Sequence, residues 1–271
     1  MPTLLGIFAH PDDESFGPGG ALARYAATGA DVHVCIVTDG AAGSYDPALL
    51  AASGCHTLAE LRHQELACAC RALGVTLHTL NYRDSGMAGA GDNDHHASLF
   101  QADLAAVARD IRDLIEQLRP QVILSHDANG DYFHPDHIKV HQAVVKALAE
   151  LPPGAAPRLY VSAIPRRQVE LGVRLLRLLR KDPTRMGDNN DVDFTRIGTP
   201  EADIQVRMDV GRFLPAKEEA SRCHRSQGGG SSPRWLPRFV WRRFQRYEYF
   251  VQVLPPGAAR HDDFFAALSG G

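Results

Sequence analysis

Short apolar runs alternate with helical segments along the first half of this sequence, and this alternation constrains the fold more than any other feature. The predicted strands are 3–9, 31–40, 75–82 and 121–127, and the predicted helices are 20–29, 58–74, 99–120 and 135–150. Strands joined in this way form parallel sheets with right-handed crossovers and helices on both faces. We therefore expect an α/β fold with a mostly parallel sheet, whose ligands bind beyond the carboxyl ends of the strands.

The sequence is less regular from about residue 151, although no domain boundary is visible. Strands are predicted at 158–164, 203–210 and 247–254, with a helix at 212–224. We expect one domain over 1–271, with a less regular C-terminal part.

Two arginine-rich stretches interrupt this C-terminal part. The first, 165–181, has the pattern of a basic amphipathic helix, for which a solvated face or a cap over a site is a commoner role than contact with a membrane. The second, 224–246, combines a glycine-rich loop, predicted to be mobile, with a basic aromatic segment.

Charge and cysteine content narrow the classes of partner and compartment. The chain has 271 residues and a net charge of −3, which does not favour nucleic acid or an anionic membrane as the main partner. Its five cysteines include no CxxC pair, so we expect reduced thiols and no cysteine zinc site. The first apolar run is too short to span a membrane and lacks the pattern of a signal peptide, so we expect a cytoplasmic protein.

Two segments rich in histidine and aspartate follow predicted strands and should lie at one edge of the sheet. The first is "AHPDDE" at 9–14, and the second is "DYFHPDHIKVH" at 131–141. One histidine and one carboxylate from the first segment, with one histidine from the second, would form a three-ligand set, as in catalytic zinc sites. The same ligand types also suit Fe²⁺, so the sequence leaves the metal open.

The adjacent carboxylates of Asp12 and Asp13 fit such a site, because neighbouring side chains in an extended turn point in different directions. One carboxylate can bind the metal while the other faces the metal-activated water as a general base. The segments together therefore predict metal-assisted hydrolysis.

Two other enzyme classes match the sequence less well. His137 and His141 have the spacing of a zinc protease helix, but Ile138 stands where that motif needs its glutamate. The "GPGG" at 17–20, with Asp39 about twenty residues later, partly matches a dinucleotide-binding motif. That motif lacks its third glycine, and the preceding acids would repel a pyrophosphate.

At these segments the sequence resembles the LmbE-like family, also called the PIG-L or N-acetylglucosaminyl deacetylase family. The resemblance covers most of the chain in family order. Its motifs are "AHPDDESFGPGG", "VTDGAAGS", "LAELRHQELACACRALGV", "YRDSGMAG", "GDYFHPDHIKVH" and "CHRSQ". It implies a Rossmann-like fold and metal-dependent hydrolysis.

The resemblance also assigns roles to individual residues. It implies a zinc ion held by His10, Asp13 and His137, with Asp12 as the general base. It further implies that His134 stabilises the oxyanion or protonates the amine, and that Asp136 orients His134. The remaining implied roles are contact with the polarised carbonyl for Tyr132 and contacts with sugar hydroxyls for Arg62 and Asp84.

The function implied is removal of the acetyl group from an N-acetylglucosamine-type sugar conjugate, a small molecule. Many relatives have "TRGE" where this chain has "TDGA", so Asp39 and Ala41 replace an arginine and a glutamate and the pocket is expected to differ there. An amidase acting on glucosaminyl-thiol conjugates or acylated antibiotic sugars is therefore the alternative. A non-catalytic sugar- or metal-binding protein is a third hypothesis, and the resemblance adds self-association as an expectation.

Overall fold

A computed structural model describes residues 1–187, 192–229, 238–257 and 259–265, and within these ranges seven strands form one sheet. The strands are β1 (Thr3–Phe8), β2 (Asp31–Thr38), β3 (Thr76–Tyr82), β4 (Val122–Ser125), β5 (Arg158–Ala163), β6 (Val206–Asp209) and β7 (Tyr247–Leu254). Their order is β3-β2-β1-β4-β5-β7-β6, and β1 to β5 pair in parallel. Strand β7 is antiparallel to both of its neighbours. Because the other four strand pairs are parallel, the prediction of a mostly parallel sheet is confirmed.

Helices cover both faces of this sheet. They are α1 (Asp13–Phe16), α2 (Gly19–Ala27), α3 (Pro47–Ser53), α4 (Leu58–Leu73), α5 (Leu104–Leu118), α6 (Gly130–Phe133), α7 (Pro135–Ala149), α8 (Arg166–Leu178), α9 (Leu214–Cys223) and α10 (Arg238–Gln245). Side chains of α2, α4 and α9 pack on one face, and those of α5 and α7 pack on the other. The two-sided burial explains why the central strands are apolar throughout rather than alternating.

Strand β1 illustrates how one short apolar run serves both cores. Leu4 and Phe8 belong to the cluster with α2 and α4, whereas Leu5 and Ile7 belong to the cluster with α5 and α7. Successive side chains of a strand point to opposite faces, so a central strand covered on both sides needs apolar residues at every position.

Capping residues place the ends of the longest helices. Thr57 accepts a hydrogen bond from the backbone N–H of Glu60 at the start of α4, and Gly74 ends α4 with φ of 74°. Helix α5 begins at Leu104, later than the predicted start at residue 99, because Asp103 accepts from the N–H of Ala106. A cap at that position satisfies an N–H group that no earlier turn could bind.

Cys68 and Cys223 form a disulfide between α4 and the end of α9, with a Cα–Cα distance of 5.7 Å. The expectation of five reduced thiols is therefore wrong for this pair, while the other three cysteines are free. The two bonded residues are 155 positions apart in the sequence and meet only because α4 packs against α9. Spacing along the chain carries no signal of such a pairing.

We expect the disulfide to stabilise the fold measurably, because it closes a loop of 155 residues in the unfolded chain. The chain-entropy limit for a loop of this size is about 5 kcal/mol. A reductant should lower the midpoint of thermal unfolding of the unaltered protein and leave that of a Cys68→Ser/Cys223→Ser variant unchanged. An equal reductant effect on both proteins would contradict this origin of the stability.

The two arginine-rich stretches differ in how much the structure describes. The first forms α8 on the outside of the molecule. In the second, the predicted mobile loop falls largely on 230–237, outside the described residues, and α10 follows it. No helix in the described part of the chain is long and apolar enough to cross a membrane. The assignment of 1–271 to one domain stays a prediction.

Candidate metal centre and active site

The two predicted segments meet at the carboxyl edge of the sheet. Strands β1 and β4 are parallel neighbours, and they end at Phe8 and Ser125. The loop after β1 carries "HPDD" at 10–13, and the loop and helices after β4 carry the histidines of 126–141. Parallel pairing is thus what brings residues more than a hundred positions apart into one cluster.

Three side-chain atoms in this cluster form a nearly equilateral triangle. His10 Nδ1 lies 3.2 Å from His137 Nε2 and 3.6 Å from Asp13 Oδ2, and His137 Nε2 lies 3.5 Å from Asp13 Oδ2. A tetrahedral ion with bonds of about 2.0 to 2.1 Å separates its ligand atoms by roughly 3.4 Å. The predicted ligand set therefore has the spacing and the donor chemistry that a divalent ion requires.

Carboxylates hold the remaining ring nitrogen of each of these histidines. His137 Nδ1 lies 2.9 Å from Asp131 Oδ2, and His10 Nε2 lies 3.2 Å from Asp136 Oδ2. Histidines that bind metals characteristically donate their second N–H to a carboxylate, which sets the tautomer and the ring orientation. The other ring nitrogen of each histidine, His10 Nδ1 and His137 Nε2, is the one that lies beside Asp13 Oδ2.

Asp13 is held as a carboxylate. Burial by itself would raise its pKa, but His137 above all, together with His10 and His126, holds the pKa of Asp13 well below its usual range. The backbone N–H of His10 also donates to Asp13 Oδ2 at 2.7 Å. Asp13 is thus charged and oriented before any ion binds.

Two further members of the cluster, His126 and Asp131, were not among the predicted site residues. His126 stacks on His137 with ring centroids 3.8 Å apart, and its Nδ1 lies 2.6 Å from Asp131 Oδ2. The backbone N–H of Ala9 donates to His126 Nε2 at 2.9 Å, so that lone pair already has a partner. Their place after the end of β4 was the sequence signal that could have identified these two residues. The motif at 134–137 is a stronger signal and lies in the same segment.

Asp12 stands beside the three candidate ligands in a conformation that aspartate rarely adopts. Its φ is 136°, and backbone strain of this kind is often stored at functional sites. Arg62 Nη2 donates to Asp12 Oδ2 at 3.2 Å, and Glu14 Oε2 accepts the Asp12 N–H at 3.0 Å. Burial is the largest cause that raises the pKa of Asp12 to about 7, against the lowering effect of Arg62.

Glu14 is itself fixed by a residue distant in sequence. His224 Nε2 lies 2.7 Å from Glu14 Oε1, and both side chains are fully buried. His224 matches the family motif "CHRSQ", and the structure gives it the supporting place behind Asp12 rather than a place in the triangle.

His134 lies next to His10, with ring centroids 4.5 Å apart. Its Nδ1 accepts the backbone N–H of Asp136 at 3.2 Å, so the neutral ring carries its proton on Nε2. Burial, reinforced by His10 and His137, lowers the pKa of His134 to about 2 and keeps the ring neutral. His134 is therefore arranged as a hydrogen-bond donor through Nε2.

Asp136 contacts His134 through its backbone N–H and not through its carboxylate, which corrects the expected way in which Asp136 orients His134. The backbone amide of Asp136 contacts His134, whereas its carboxylate contacts His10 Nε2 and accepts the N–H of Ser85 at 2.9 Å. The difference arises because His134 caps α7, and a cap binds backbone N–H groups of the first turn.

A cavity of about 450 Å³ opens beside the cluster, and Asp12, Asp13, Tyr132 and His137 all line it. The Tyr132 ring lies 5.1 Å from that of His137. Burial and the neighbouring Asp13 and Asp12 raise the pKa of Tyr132 well above its ordinary value, so the phenol keeps its proton. Tyr132 can therefore donate a hydrogen bond to a ligand in the cavity.

Arg62 and Asp84 lie behind the cluster with both side chains buried. Arg62 donates to the backbone carbonyls of Pro11 and Gly40 at 2.7 and 2.9 Å, and Asp84 Oδ1 lies 3.3 Å from His10 Nε2. These contacts support a positioning role for both residues. Their expected contacts with sugar hydroxyls stay a prediction.

The N-terminus of α2, where a Rossmann fold binds a dinucleotide pyrophosphate, is filled by a carboxylate of the chain itself. Glu248 accepts two backbone N–H groups there at 2.9 and 2.8 Å and pairs with Lys217 Nζ at 2.6 Å. Asp39, the candidate ribose-binding acid, instead accepts the N–H groups of Ala41 and Asp84 at 3.0 Å. Both features that suggested a dinucleotide site serve the fold.

His141, the second histidine that a zinc protease motif would need, does not point to the metal-ligand triangle. His141 Nδ1 lies 2.8 Å from the carbonyl oxygen of His126, so the His141 ring is engaged with the backbone while His137 faces the triangle. The spacing of four residues reflects one helix face rather than a shared ion.

We expect Asp131→Asn to weaken metal binding by about 10- to 100-fold, the usual cost of losing a carboxylate that orients a ligand histidine. The amide keeps the size of the side chain but removes the charge that faces His137 Nδ1. Competition with a chelating dye would measure the affinity, and Asp113→Asn on the exposed surface of α5 is the matched control. An unchanged affinity would show that Asp131 does not act through His137.

Comparisons with known proteins identify relatives of this chain. A protein-family model described as GlcNAc-PI de-N-acetylase matches residues 5–148. The 1D-myo-inositol 2-acetamido-2-deoxy-α-D-glucopyranoside deacetylase of Acidothermus cellulolyticus is 37% identical over 279 residues, covering 98% of this chain and 95% of that protein. The matched family segment contains every candidate residue of the triangle.

Solved structures show the same fold in proteins with different reactions. The N,N'-diacetylchitobiose deacetylase of Pyrococcus horikoshii is similar with a TM-score of 0.56 and 21% identity, over 92% of this chain and 83% of that one. The 4-carboxy-2-hydroxymuconate hydratase of Pseudomonas putida gives a TM-score of 0.58 and 18% identity, over 96% and 100%. Because a hydratase shares the fold, the architecture alone does not specify the reaction.

Proposed function

The chain belongs to the PIG-L family of GlcNAc-PI de-N-acetylases, and on that basis we infer that it is a hydrolase that removes the acetyl group from an N-acetylglucosamine-type substrate. The products are acetate and the free amine. The near full-length similarity to a deacetylase named for N-acetylglucosamine joined to myo-inositol supports an inositol conjugate as the substrate.

The triangle of His10 Nδ1, Asp13 Oδ2 and His137 Nε2 beside Asp12 is the observation that carries this proposal. Two imidazoles and one carboxylate suit Zn²⁺, and they also suit Fe²⁺. A divalent ion in this place supplies a Lewis acid that polarises the acetyl carbonyl and lowers the pKa of water.

Asp12 is the proposed general base. Its carboxylate lines the cavity, and Arg62 holds it on one side through Oδ2. With a pKa raised to about 7, Asp12 is basic enough to take a proton from the attacking water and acidic enough to release it later. The released proton passes to the nitrogen of the amide, so that the amine leaves as a neutral group.

His134 and Tyr132 are the proposed donors to the oxyanion. His134 carries its proton on Nε2 because Nδ1 accepts the backbone N–H of Asp136, and Tyr132 stays protonated in the cavity wall. Donors held in place before the reaction stabilise the developing charge without reorganising. Two neutral donors here therefore favour attack on the carbonyl carbon.

The alternative substrates remain distinct proposals. Ala41 donates its backbone N–H to Asp39, and its methyl side chain stands where many relatives are expected to have a glutamate. An altered pocket leaves room for amide hydrolysis on glucosaminyl-thiol conjugates or acylated antibiotic sugars. Cytoplasmic location and self-association stay predictions of the sequence.

Acetate release from a panel of conjugates tests the function. The zinc-loaded protein is assayed with N-acetylglucosamine, its inositol conjugate, its malate conjugate and an acylated glucosaminyl thiol. We expect the fastest turnover on the inositol conjugate. Turnover on the thiol conjugate alone would favour the amidase, and no turnover with full metal occupancy would favour a binding protein.

A further inference from the structure

Helix α8 carries an apolar ridge that faces away from the molecule. Five of the ten exposed large apolar side chains among the described residues fall within 164–179. Leu171 and Leu178 are 58% and 79% exposed, and Leu175 and Leu179 are also exposed. These four leucines follow the spacing i, i+4, i+7 and i+8, which places them on one helix face.

Packing against the part of the chain that the structure describes does not explain this ridge. Val173 is the one buried side chain among the described residues of α8. Its position in the helix lies away from the face of the four leucines, because two residues correspond to a rotation of about 200°. Exposed apolar stripes of this length mark surfaces that bind something else.

Positive charge surrounds the ridge. Residues 165–181 contain six cations and one acid, Glu170. The cations are Arg166, Arg167, Arg174, Arg177, Arg180 and Lys181. A helix that combines an apolar face with flanking arginines and lysines is typical of segments that lie in a membrane interface.

The same charges argue against a second copy of this chain as the occupant. In a two-fold dimer the same patch faces itself, so each set of six cations would meet the other. Like charges brought together across an interface disfavour the complex. The partner that fits is therefore both apolar and anionic.

The ridge is continuous with the mouth of the active-site cavity. Ile164, just before α8, is exposed and lines the cavity, as does Gln168 in the first turns of the helix. Phe16 and Phe244, which are also exposed, line the cavity from other elements. The apolar groups at the mouth and on α8 thus belong to one side of the molecule.

We propose that α8 docks this side of the protein on an anionic lipid surface, with the leucine ridge at the boundary between headgroups and acyl chains. The long stems of the arginines and Lys181 lie along the apolar layer while their charges stay with the anionic headgroups. This mode of binding needs no membrane span. It rests on α8 and its charges and does not depend on the proposed function.

Sedimentation with vesicles tests the proposal. The full chain is mixed with vesicles of phosphatidylcholine alone or of phosphatidylcholine and phosphatidylglycerol in equal amounts. We expect binding to the anionic vesicles only, weakened by added salt because exposed charges are screened. The affinity of a Leu175→Glu/Leu178→Glu variant for anionic vesicles should be lower by at least about tenfold. A Phe100→Glu variant, which changes a similarly exposed apolar side chain elsewhere, should bind as the unaltered protein does.

Three results would overturn the proposal. The first is no binding to anionic vesicles, and the second is equally strong binding to soluble polyglutamate, which would show that charge alone acts. The third is a change from dimer to monomer in the double variant, which would assign the ridge to a second copy. Circular dichroism and acetate release from a soluble conjugate verify that the double variant is folded.

Discussion

Replacing Asp12 with asparagine should lower kcat/KM for acetate release by about 10²- to 10⁴-fold, the range contributed by a positioned general base. Asparagine has the size of aspartate and can still accept a hydrogen bond from Arg62, but it cannot take a proton from water. The metal content should stay unchanged, because the atoms of the triangle belong to His10, Asp13 and His137.

Metal analysis and acetate release on the same preparation separate these two effects. Asp113→Asn, an exposed aspartate of α5, controls for the change of one charge. A variant that keeps both its metal and full turnover would remove Asp12 from the mechanism. Loss of metal together with turnover would instead make Asp12 part of the ligand set.

Replacing His137 with alanine should abolish turnover by removing metal. The variant loses one corner of the triangle and leaves Asp131 with His126 alone. Loss of a carboxylate behind a ligand costs about 10- to 100-fold in affinity, so loss of the ligand itself should cost more than about 100-fold. A chelator should likewise inactivate the unaltered protein, and added Zn²⁺ should restore it.

The readout for His137→Ala is metal affinity by competition, with turnover measured at saturating metal. His63→Ala, an exposed histidine of α4, is the matched control. Unchanged affinity in the His137 variant would shift the site to another histidine.

The Asp12 and His137 variants are informative together because they separate catalysis from metal binding in one site. His10 and Asp13 lie between Asp12 and His137 in the same cluster, so the effects of the two substitutions are not expected to add. A Tyr132 or His134 variant then tests oxyanion stabilisation with the metal in place.

Much of the site's composition could be predicted because it lies in two short motifs. His10, Asp12 and Asp13 follow β1 directly, and His134 and His137 open α7, so the parallel sheet suffices to bring them to one edge. The supporting residues could not be predicted in the same way. His126 lies in the loop after β4 and Asp131 lies in the short helix α6, and only their contacts with His137 distinguish them from ordinary polar residues.

The amino-acid sequence by itself determined the alternation of strands and helices, the mostly parallel sheet and the clustering of the candidate metal ligands at its edge. These properties depend on local periodicity and on the handedness of chain connections. Only the tertiary structure decided the antiparallel β7, the disulfide between Cys68 and Cys223, and the buried places of Arg62 and Asp84. Each of these three features depends on which distant segment of the chain packs against the residues concerned. Hydrogen-bond and disulfide partners are determined by proximity in space, and this proximity leaves no pattern along the chain.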